Sequence, residues 1–228
     1  MATTYFSAKA FALLREFARN NNREWFAVNR PRFEALLRDP FLALIGDLAA
    51  PLAKISPHFR ADPRPHGGSM FRIYRDARFS KDKSPYKTWL GARLQHERGR
   101  QLHAPTFYLH IQPKDSFVGG GLWHPEPPTL ARVRDFLVAN PATWKKAVHN
   151  KRFATTFQIG GDVLSRPPRG YDAAHALIDD IKRKDFAAWR TFGDREACSS
   201  ELRDIVVSGF KGVAPMIDYL CAALDLEF

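Results

Sequence analysis

The sequence has little cysteine and no long apolar segment. Cys198 and Cys221 are its only cysteines, and without a Cys-x-x-Cys pair neither a disulfide scaffold nor a thiolate zinc site is expected. The longest apolar runs, such as residues 41–45, are far shorter than the roughly 20 residues that cross a bilayer. No basic region precedes an apolar stretch at the start, so we expect no signal peptide. These absences predict a soluble, cytoplasmic protein without a membrane partner.

Common motifs of catalysis and cofactor binding are also missing. No Gly-x-x-x-x-Gly-Lys-Ser/Thr or Gly-x-Gly-x-x-Gly pattern occurs, so we predict no nucleotide site and no cofactor. No Gly-x-Ser-x-Gly elbow presents a serine nucleophile. The eight histidines include no His-Glu-x-x-His pair. Four of them would meet only if neighbouring strands brought them together, so we predict no metal site: His96, His103, His110 and His124.

Aromatic and basic residues are plentiful. The 228 residues include 18 Phe and 5 Trp, which is ample material for a hydrophobic core, and the net charge is +11. No Gly/Ser-rich or acidic linker divides the chain, so we predict a single domain over residues 1–228. It has three parts: a helical part (1–56), a sheet with a charged signature (69–124), and a mixed, mostly helical part (125–228).

Apolar residues at helical spacing predict helices in the first quarter of the chain. Ser7 is the expected cap of the first helix, which should stop at the asparagines 20–22, with Asn22 capping the second. Pro31 fits a helix only if a new one begins there. Pro51 should kink or end the third helix.

The middle of the chain alternates apolar and polar residues as strands do. Short connections between these strands favour an antiparallel meander. The predicted strands are Phe71–Phe79, Thr88–His96, Thr106–Gln112 and Phe117–Trp123. Beyond them the spacing predicts a helix from Thr129, a strand over Phe153–Ile159, and helices over Asp172–Trp189 and Ser200–Leu224. The fold class is therefore α+β, a central, mainly antiparallel sheet flanked by N-terminal and C-terminal helices.

The first predicted strand is unusually charged. One face would carry Phe71, Ile73, Ala77 and Phe79, and the other Arg72, Tyr74, Asp76 and Arg78. Arg75 falls in register with the apolar set. Because a buried unpaired cation is very unfavourable, Arg75 must meet a carboxylate, backbone carbonyls, a bound anion or a crevice open to water.

The turn after this strand adds lysines to the arginines. Ser84 and Pro85 suit the start of a short helical turn that carries Tyr86 and Lys87. Residues 64–100 hold ten basic and three acidic side chains, an excess of seven positive charges. The leading hypothesis is a pocket for a phosphate- or carboxylate-bearing small molecule. Its anion-binding residues would be Arg72, Arg75 and Arg78, with Lys83, Tyr86 and Lys87 closing over the ligand.

Asp76 and His110 are the candidates for acid–base chemistry. Between Arg75 and Arg78, the Asp76 carboxylate should stay ionised, which suits holding a cation better than donating a proton. His110 lies on the polar face of its strand and would act as acid or base beside the arginines, unless it is a hydrogen-bonded structural imidazole. The sequence assigns neither a reaction nor an oligomeric state.

Other interpretations of the charge stay open. A nucleic-acid-associated module would explain the +11 charge and the interleaved Arg, Tyr and Trp, although the Asp mixed into the signature counts against it. Alternatively, the charged strand only stabilises the sheet through ion pairs. The glycines 119–121 either bring backbone amides to a ligand or permit close packing.

The charged stretch also resembles a known family. The pattern Arg72-x-x-Arg75-Asp76-x-Arg78-Phe79-x-x-x-Lys83-x-x-Tyr86-Lys87 is similar to the signature of the domain-of-unknown-function 2461 family. Three other stretches resemble the same family, so the likeness spans nearly the whole chain: residues 21–26, 119–123 and 166–171. The resemblance implies a shared fold and a shared site. It implies no particular activity.

Overall fold

The computed structural model describes residues 3–76, 78, 80–99 and 103–228. Its first quarter is helical, as predicted. Ser7 occupies the N-cap of the first helix without a side-chain bond, whereas the Asn22 side chain accepts a hydrogen bond from the Trp25 amide at 2.8 Å. The cap predicted at Asn22 is confirmed. The helical segments are α1 (Ala8–Arg19), α2 (Arg23–Phe33), a π-helical turn (Glu34–Arg38) and α3 (Asp39–Ile55).

Two prolines lie inside these helices. α2 continues through Pro31, so the prediction that a new helix begins there is wrong. α3 likewise continues past Pro51 to Ile55. Each proline removes one backbone hydrogen bond. α3 tolerates the loss because one side of it is packed into the core, where Leu44 and Leu48 are fully buried.

The sheet has the order β1-β2-β3-β4-β6-β5, and every pair of neighbours is antiparallel. Its middle strands form the predicted meander, with ends within two residues of the prediction. The α+β fold with flanking helices is therefore confirmed. The strands are β1 (Phe59–Arg60), β2 (Leu90–His96), β3 (Thr106–Ile111), β4 (Ser116–Leu122), β5 (Gln158–Gly160) and β6 (Phe186–Phe192).

The last third departs from the prediction at two places. Only Ile178–Ile181 is helical within the predicted helix Asp172–Trp189, and β6 follows it. Pairing with β4 decides this, since the inward residues of β6 alternate as a strand requires. The predicted strand Phe153–Ile159 is helical in its first part and extended only at its end. The helices here are α4 (Pro127–Ala139), α5 (Pro141–Val148), α6 (Lys151–Thr156), α7 (Ile178–Ile181), α8 (Asp194–Ala197) and α9 (Leu202–Ala222).

Residues 71–89 are called the signature loop below, and those of them that the structure describes do not form the predicted first strand. Its two arms share one isolated bridge, Tyr74 with Tyr86, supported by a hydrogen bond from the Arg75 amide to the Pro85 carbonyl at 2.9 Å. Pro85 has no N–H to extend the pairing, and the turn between the arms is polar. The helical turn predicted at Ser84 is also wrong, because Tyr86 is engaged in the bridge.

The predicted faces of this stretch hold where they are described. Phe71 and Ile73 are half-buried, whereas Arg72 and Tyr74 are exposed. Alternation therefore follows from an extended backbone even without a strand partner. Ala77, Phe79 and Arg100 lie outside the described residues.

Helices α3 and α9 pack on one face of the sheet, called the helix face below. A Cβ added to Gly120 would lie 2.6 Å from Ile217 Cδ1, so this glycine lets α9 approach β4. Added Cβ atoms at Gly119 and Gly121 would lie 2.0 Å from carbonyl oxygens of β6. The three glycines thus serve close packing. By length and composition α9 could also cross a membrane. Half of its most apolar 18-residue stretch is buried in the protein, however, as in a core helix.

The opposite face of the sheet, called the aromatic face below, carries rings in a continuous row of contacts. His110 stacks on Phe117 with ring centroids 4.7 Å apart, and Phe117 contacts Trp189 at 6.1 Å. Most of these rings are half-buried. Trp89 of the signature loop packs on His110 at 4.8 Å, so the loop covers one end of this face.

Candidate functional site

The signature loop and the turn between α1 and α2 enclose a hollow of about 460 Å³. Asn21, from that turn, holds the loop in place through both ends of its amide. Its Nδ2 donates to the Tyr86 carbonyl at 2.9 Å, and its Oδ1 accepts from the Tyr86 amide at 3.1 Å. The hollow is lined by Ala18, Asn21, Arg75, Asp82, Ser84, Tyr86, Lys87, Thr88 and Trp89.

Arg75 reaches the rim of this hollow. Its side chain is 28% exposed, and Nη1 donates to the Asp82 carboxylate and the Ser84 hydroxyl. The sequence required such a partner, and the partner is a carboxylate whose own side chain is 62% exposed. The Ser84 amide, then Arg75, lowers the pKa of Asp82 to about 2. Arg75 is therefore paired at a surface open to water, where such a pair is weak.

Lys87 lies deeper in the loop. Its Nζ donates to the carbonyl oxygens of Arg72 at 2.8 Å and Tyr74 at 2.7 Å, and lies 5.7 Å from the centre of the Trp89 ring. Burial lowers the pKa of Lys87, and the positive charges of Arg72 and Arg75 lower it further. Positive charge around the hollow thus exceeds what Asp82 neutralises.

Not all of the predicted ligand-binding residues line the hollow. Arg72 is exposed beside it, and Tyr86 is buried in its wall against Phe26, with ring centroids 4.5 Å apart. Arg78 pairs with Asp76 at 2.7 Å on the surface, and Lys83 Nζ donates to the Arg78 carbonyl at 3.3 Å. The structure therefore brings Arg75, Tyr86 and Lys87 together and leaves Arg78 and Lys83 outside.

The two acid–base candidates differ in environment. Asp76 is exposed, and hydrogen bonds from Arg78 lower its pKa, so it stays ionised as expected. His110 is buried on the aromatic face, where burial lowers its pKa. Its Nδ1 lies 3.1 Å from the Tyr108 hydroxyl and its Nε2 lies 3.0 Å from Gln112 Oε1. Both ring nitrogens have partners, which is the arrangement of a structural imidazole.

Three of the four histidines considered for a metal site have separate partners: His96, His110 and His124. His96 Nε2 lies 2.9 Å from the Glu227 carbonyl, and His124 lies 3.3 Å from the Asp185 carboxylate. Among the described residues, no group of three or more His, Cys, Asp or Glu side chains is arranged to hold a metal ion.

Two residues that shape the hollow were not singled out as site residues in the sequence. In the sequence Asn21 predicts only part of a helix break, and Trp89 falls within the predicted strand Thr88–His96. Asn21 does stand among the residues that resemble the family, directly before the Asn22 cap. That likeness was the available signal, because a contact across 65 residues has no local pattern.

Comparisons with known proteins agree with the resemblance. The family described as conserved hypothetical protein (DUF2461) matches residues 9–219, which include the signature loop, the sheet and most of α9. Neither the search of curated proteins nor the search of solved structures finds a match. The match spans well over half of the sequence, and the chain therefore belongs to the DUF2461 family.

Proposed function

We propose that the hollow under the signature loop binds a small molecule that carries a phosphate or carboxylate group. One observation carries this proposal: Arg75 and Lys87 line the same hollow, with Arg72 beside them. The positive charges of Arg72 and Arg75 lower the pKa of Lys87. An anion in the hollow would relieve this repulsion and would accept charge-assisted hydrogen bonds. The protein is proposed to act in the cytoplasm as a binder of such molecules, with no reaction assigned to Asp76 or His110.

Geometry limits which groups would contact the anion. Nη1 of Arg75 is engaged with Asp82 and Ser84, so its other guanidinium nitrogen atoms are the ones left for a ligand. Lys87 uses two of its three N–H groups on carbonyl oxygens. The Ser84 hydroxyl accepts from Arg75 and donates its proton to the Asp82 carboxylate at 2.8 Å, so the donors left for a ligand are those of Arg75 and Lys87. This donor set suits an oxyanion better than a neutral ligand.

Stabilisation by sulfate and citrate tests the proposal. Melting temperature is measured against anion concentration at constant ionic strength for the wild type, Arg75→Gln, Lys87→Met and the control Arg78→Gln. Because sulfate also stabilises proteins non-specifically, the difference between variants is the readout. We expect the melting temperatures of the wild type and Arg78→Gln to rise equally with anion concentration. The melting temperatures of Arg75→Gln and Lys87→Met should rise much less. An equal rise in all four proteins contradicts the proposal.

The aromatic face supports a second candidate function, binding of single-stranded nucleic acid. Tyr108, Phe117 and Trp189 present half-buried rings on one sheet surface, and Arg93 is exposed in the same cross-strand row. Bases stack on such rings while basic residues hold the phosphates. Affinity for an oligonucleotide that falls steeply with salt, is lost in Trp189→Ala and is unaffected by Arg75→Gln would favour this candidate.

A further inference from the structure

A second arginine lies in a less favourable position than Arg75. Arg190 stands on β6 and points to the helix face, where the alternating inward residues are otherwise Phe186, Ala188 and Phe192. Its cross-strand row continues through Val118, Leu109 and Ala92, all with 0% exposure. A guanidinium therefore occupies a position whose cross-strand neighbours are all apolar.

The partners of Arg190 are few. Nη2 donates to the Ile205 carbonyl, while Nε is buried and has no hydrogen-bond partner among the described residues. Burial lowers its pKa, and Glu196 is the acidic residue that offsets this, although its carboxylate accepts a hydrogen bond from the Gly193 amide at 2.7 Å. An arginine does not lose its proton in a protein, so this charge needs an anion or water.

Arg190 is in the lining of a cleft of about 800 Å³ between α6 and α9. A Cβ added to Gly209 would lie 3.2 Å from Arg190 Nε, and one added to Gly212 would lie 2.7 Å from the Phe157 ring. These two glycines let α9 approach β6 and α6 closely. The cleft is lined by Ala147, Asn150, Arg152, Phe153, Thr156, Phe157, Arg190, Asp204, Val207, Ser208, Lys211, Gly212 and Pro215.

The lining combines cations with an apolar wall. Arg152 and Lys211 are exposed at the cleft, and its one carboxylate, Asp204, pairs with Arg203 at 3.1 Å. Phe153 and Phe157, both largely buried, stack in the lining with ring centroids 5.0 Å apart. A ligand that satisfied both parts would carry an acidic group and an apolar body.

We propose that this cleft binds an amphipathic organic anion, with its acidic group at Arg190 and Lys211 and its apolar body on Phe153 and Phe157. Arg190 supplies a planar fork that matches a carboxylate or phosphate. Ser208 and Thr156 add two side chains with hydroxyl groups to the lining. The site is separate from the hollow under the signature loop and does not depend on the function proposed for it.

Phenylacetate is the probe for the test, with acetate as the anion that lacks the apolar body. Affinities are measured by calorimetry for the wild type, Arg190→Met, Lys211→Gln and the control Arg195→Gln, which removes an exposed arginine of α8 outside the cleft lining. We expect the wild type and Arg195→Gln to bind phenylacetate with equal affinity. The affinity of Arg190→Met should be at least tenfold weaker, and that of Lys211→Gln severalfold weaker. Acetate should bind weakly to all.

A second measurement reports on Arg190 without a variant. In nitrogen-15 spectra of the wild type, the Arg190 Nε–H resonance should shift with phenylacetate and saturate. Should Arg190→Met fail to fold, Arg190→Lys keeps the charge, loses the fork, and should bind several times more weakly. Unchanged affinity in the Arg190 variants, or an Nε–H resonance that does not move, overturns the proposal. Loss of phenylacetate binding in Lys87→Met alone would assign the ligand to the hollow and also overturn it.

Discussion

Arg75 and Arg190 are two half-buried guanidinium groups with opposite surroundings. Arg75 belongs to a dense run of charges, yet it has a carboxylate and a hydroxyl beside it, and its side chain is partly exposed to solvent. Arg190 has no charged neighbour in sequence, yet it faces the helices with one carbonyl oxygen as its hydrogen-bond partner in the described part of the chain. Charge density along a sequence is therefore a poor measure of how much a cation needs a ligand.

Releasing the signature loop should affect one region and spare the other. Asn21→Ala leaves the amide and carbonyl of Tyr86 without their partners, so we expect the free energy of unfolding in urea to fall by about 1–3 kcal/mol. Sulfate stabilisation should be lost, while phenylacetate binding at the Arg190 cleft should remain. Asn20→Ala, which removes only an exposed bond to the Glu16 carbonyl, is the matched control. Equal effects of the two variants would contradict the role given to Asn21.

Alkaline pH should separate the two sites through Lys87. Its folded pKa lies below that of the unfolded chain, so the unfolded state holds more protons between these values and stability rises with pH there. Sulfate bound in the proposed site would favour the charged amine of Lys87 and would raise its pKa. Sulfate affinity should therefore fall by about tenfold as pH rises through the Lys87 pKa, since one charge-assisted hydrogen bond is lost.

The Arg190 cleft provides the reference for this titration. In Lys211→Gln the cations of the cleft lining are Arg152 and Arg190, which stay charged, so phenylacetate affinity of this variant should change much less over the same pH range. Burial raises the pKa of Tyr86, next to Lys87, and lowers the pKa of Lys87, so the two titrations move in opposite directions. Lys87→Met should remove the pH dependence of sulfate binding. A dependence that persists in Lys87→Met would assign it to another group.

Replacing each arginine by methionine should change stability in opposite directions. Arg75→Met removes a partly exposed ion pair and should lower the free energy of unfolding by up to about 1 kcal/mol. Arg190→Met removes an unpaired cation from an apolar row and should leave stability unchanged or raise it by up to about 1 kcal/mol. Urea denaturation of both variants in buffer without added anions makes the comparison. A larger loss in Arg190→Met would show that its bond to Ile205 is structural.

The smallest effect is expected from the carboxylate that Arg75 holds. Asp82→Asn keeps the shape of the side chain and frees Arg75 for a ligand, so sulfate should bind severalfold more tightly. Asp76→Asn, which changes the exposed pair with Arg78, should leave sulfate affinity unchanged. Weaker sulfate binding in Asp82→Asn would indicate that the Arg75 pair only holds the loop together.

The sheet and the terminal helices were predictable because their patterns are local. Alternation in β2 to β4, short turns between them and the Asn22 cap each follow from neighbouring residues. The signature loop has the same alternation, yet Pro85 and the polar turn leave it one isolated bridge. Whether an alternating segment becomes a strand depends on a partner, and a partner is not visible in its own sequence.

The candidate sites were predictable to a smaller extent. Arg75 stood out because Phe71 and Ile73 defined the face it interrupts. The same reasoning applies to Arg190 between Phe186 and Phe192, but a helix prediction over residues 172–189 concealed the period of two. Asn21 and Phe157 reach their sites only through contacts made by the tertiary fold. Sequence patterns thus indicated one misfit cation and hid the other.

Nζ of Lys87 donates two of its three protons to the carbonyl oxygens of Arg72 and Tyr74. These two hydrogen bonds hold one arm of the signature loop to the other. The amine therefore has one proton left for a bound oxyanion. Such an anion can accept a hydrogen bond from Lys87 through one oxygen without breaking the bonds between the two arms. An anion that accepts more than one hydrogen bond from Lys87 would have to break these bonds and separate the arms. An anion that contacts Lys87 through one oxygen should therefore leave the signature loop ordered when it binds. An anion that contacts Lys87 through several oxygens should instead disorder the loop.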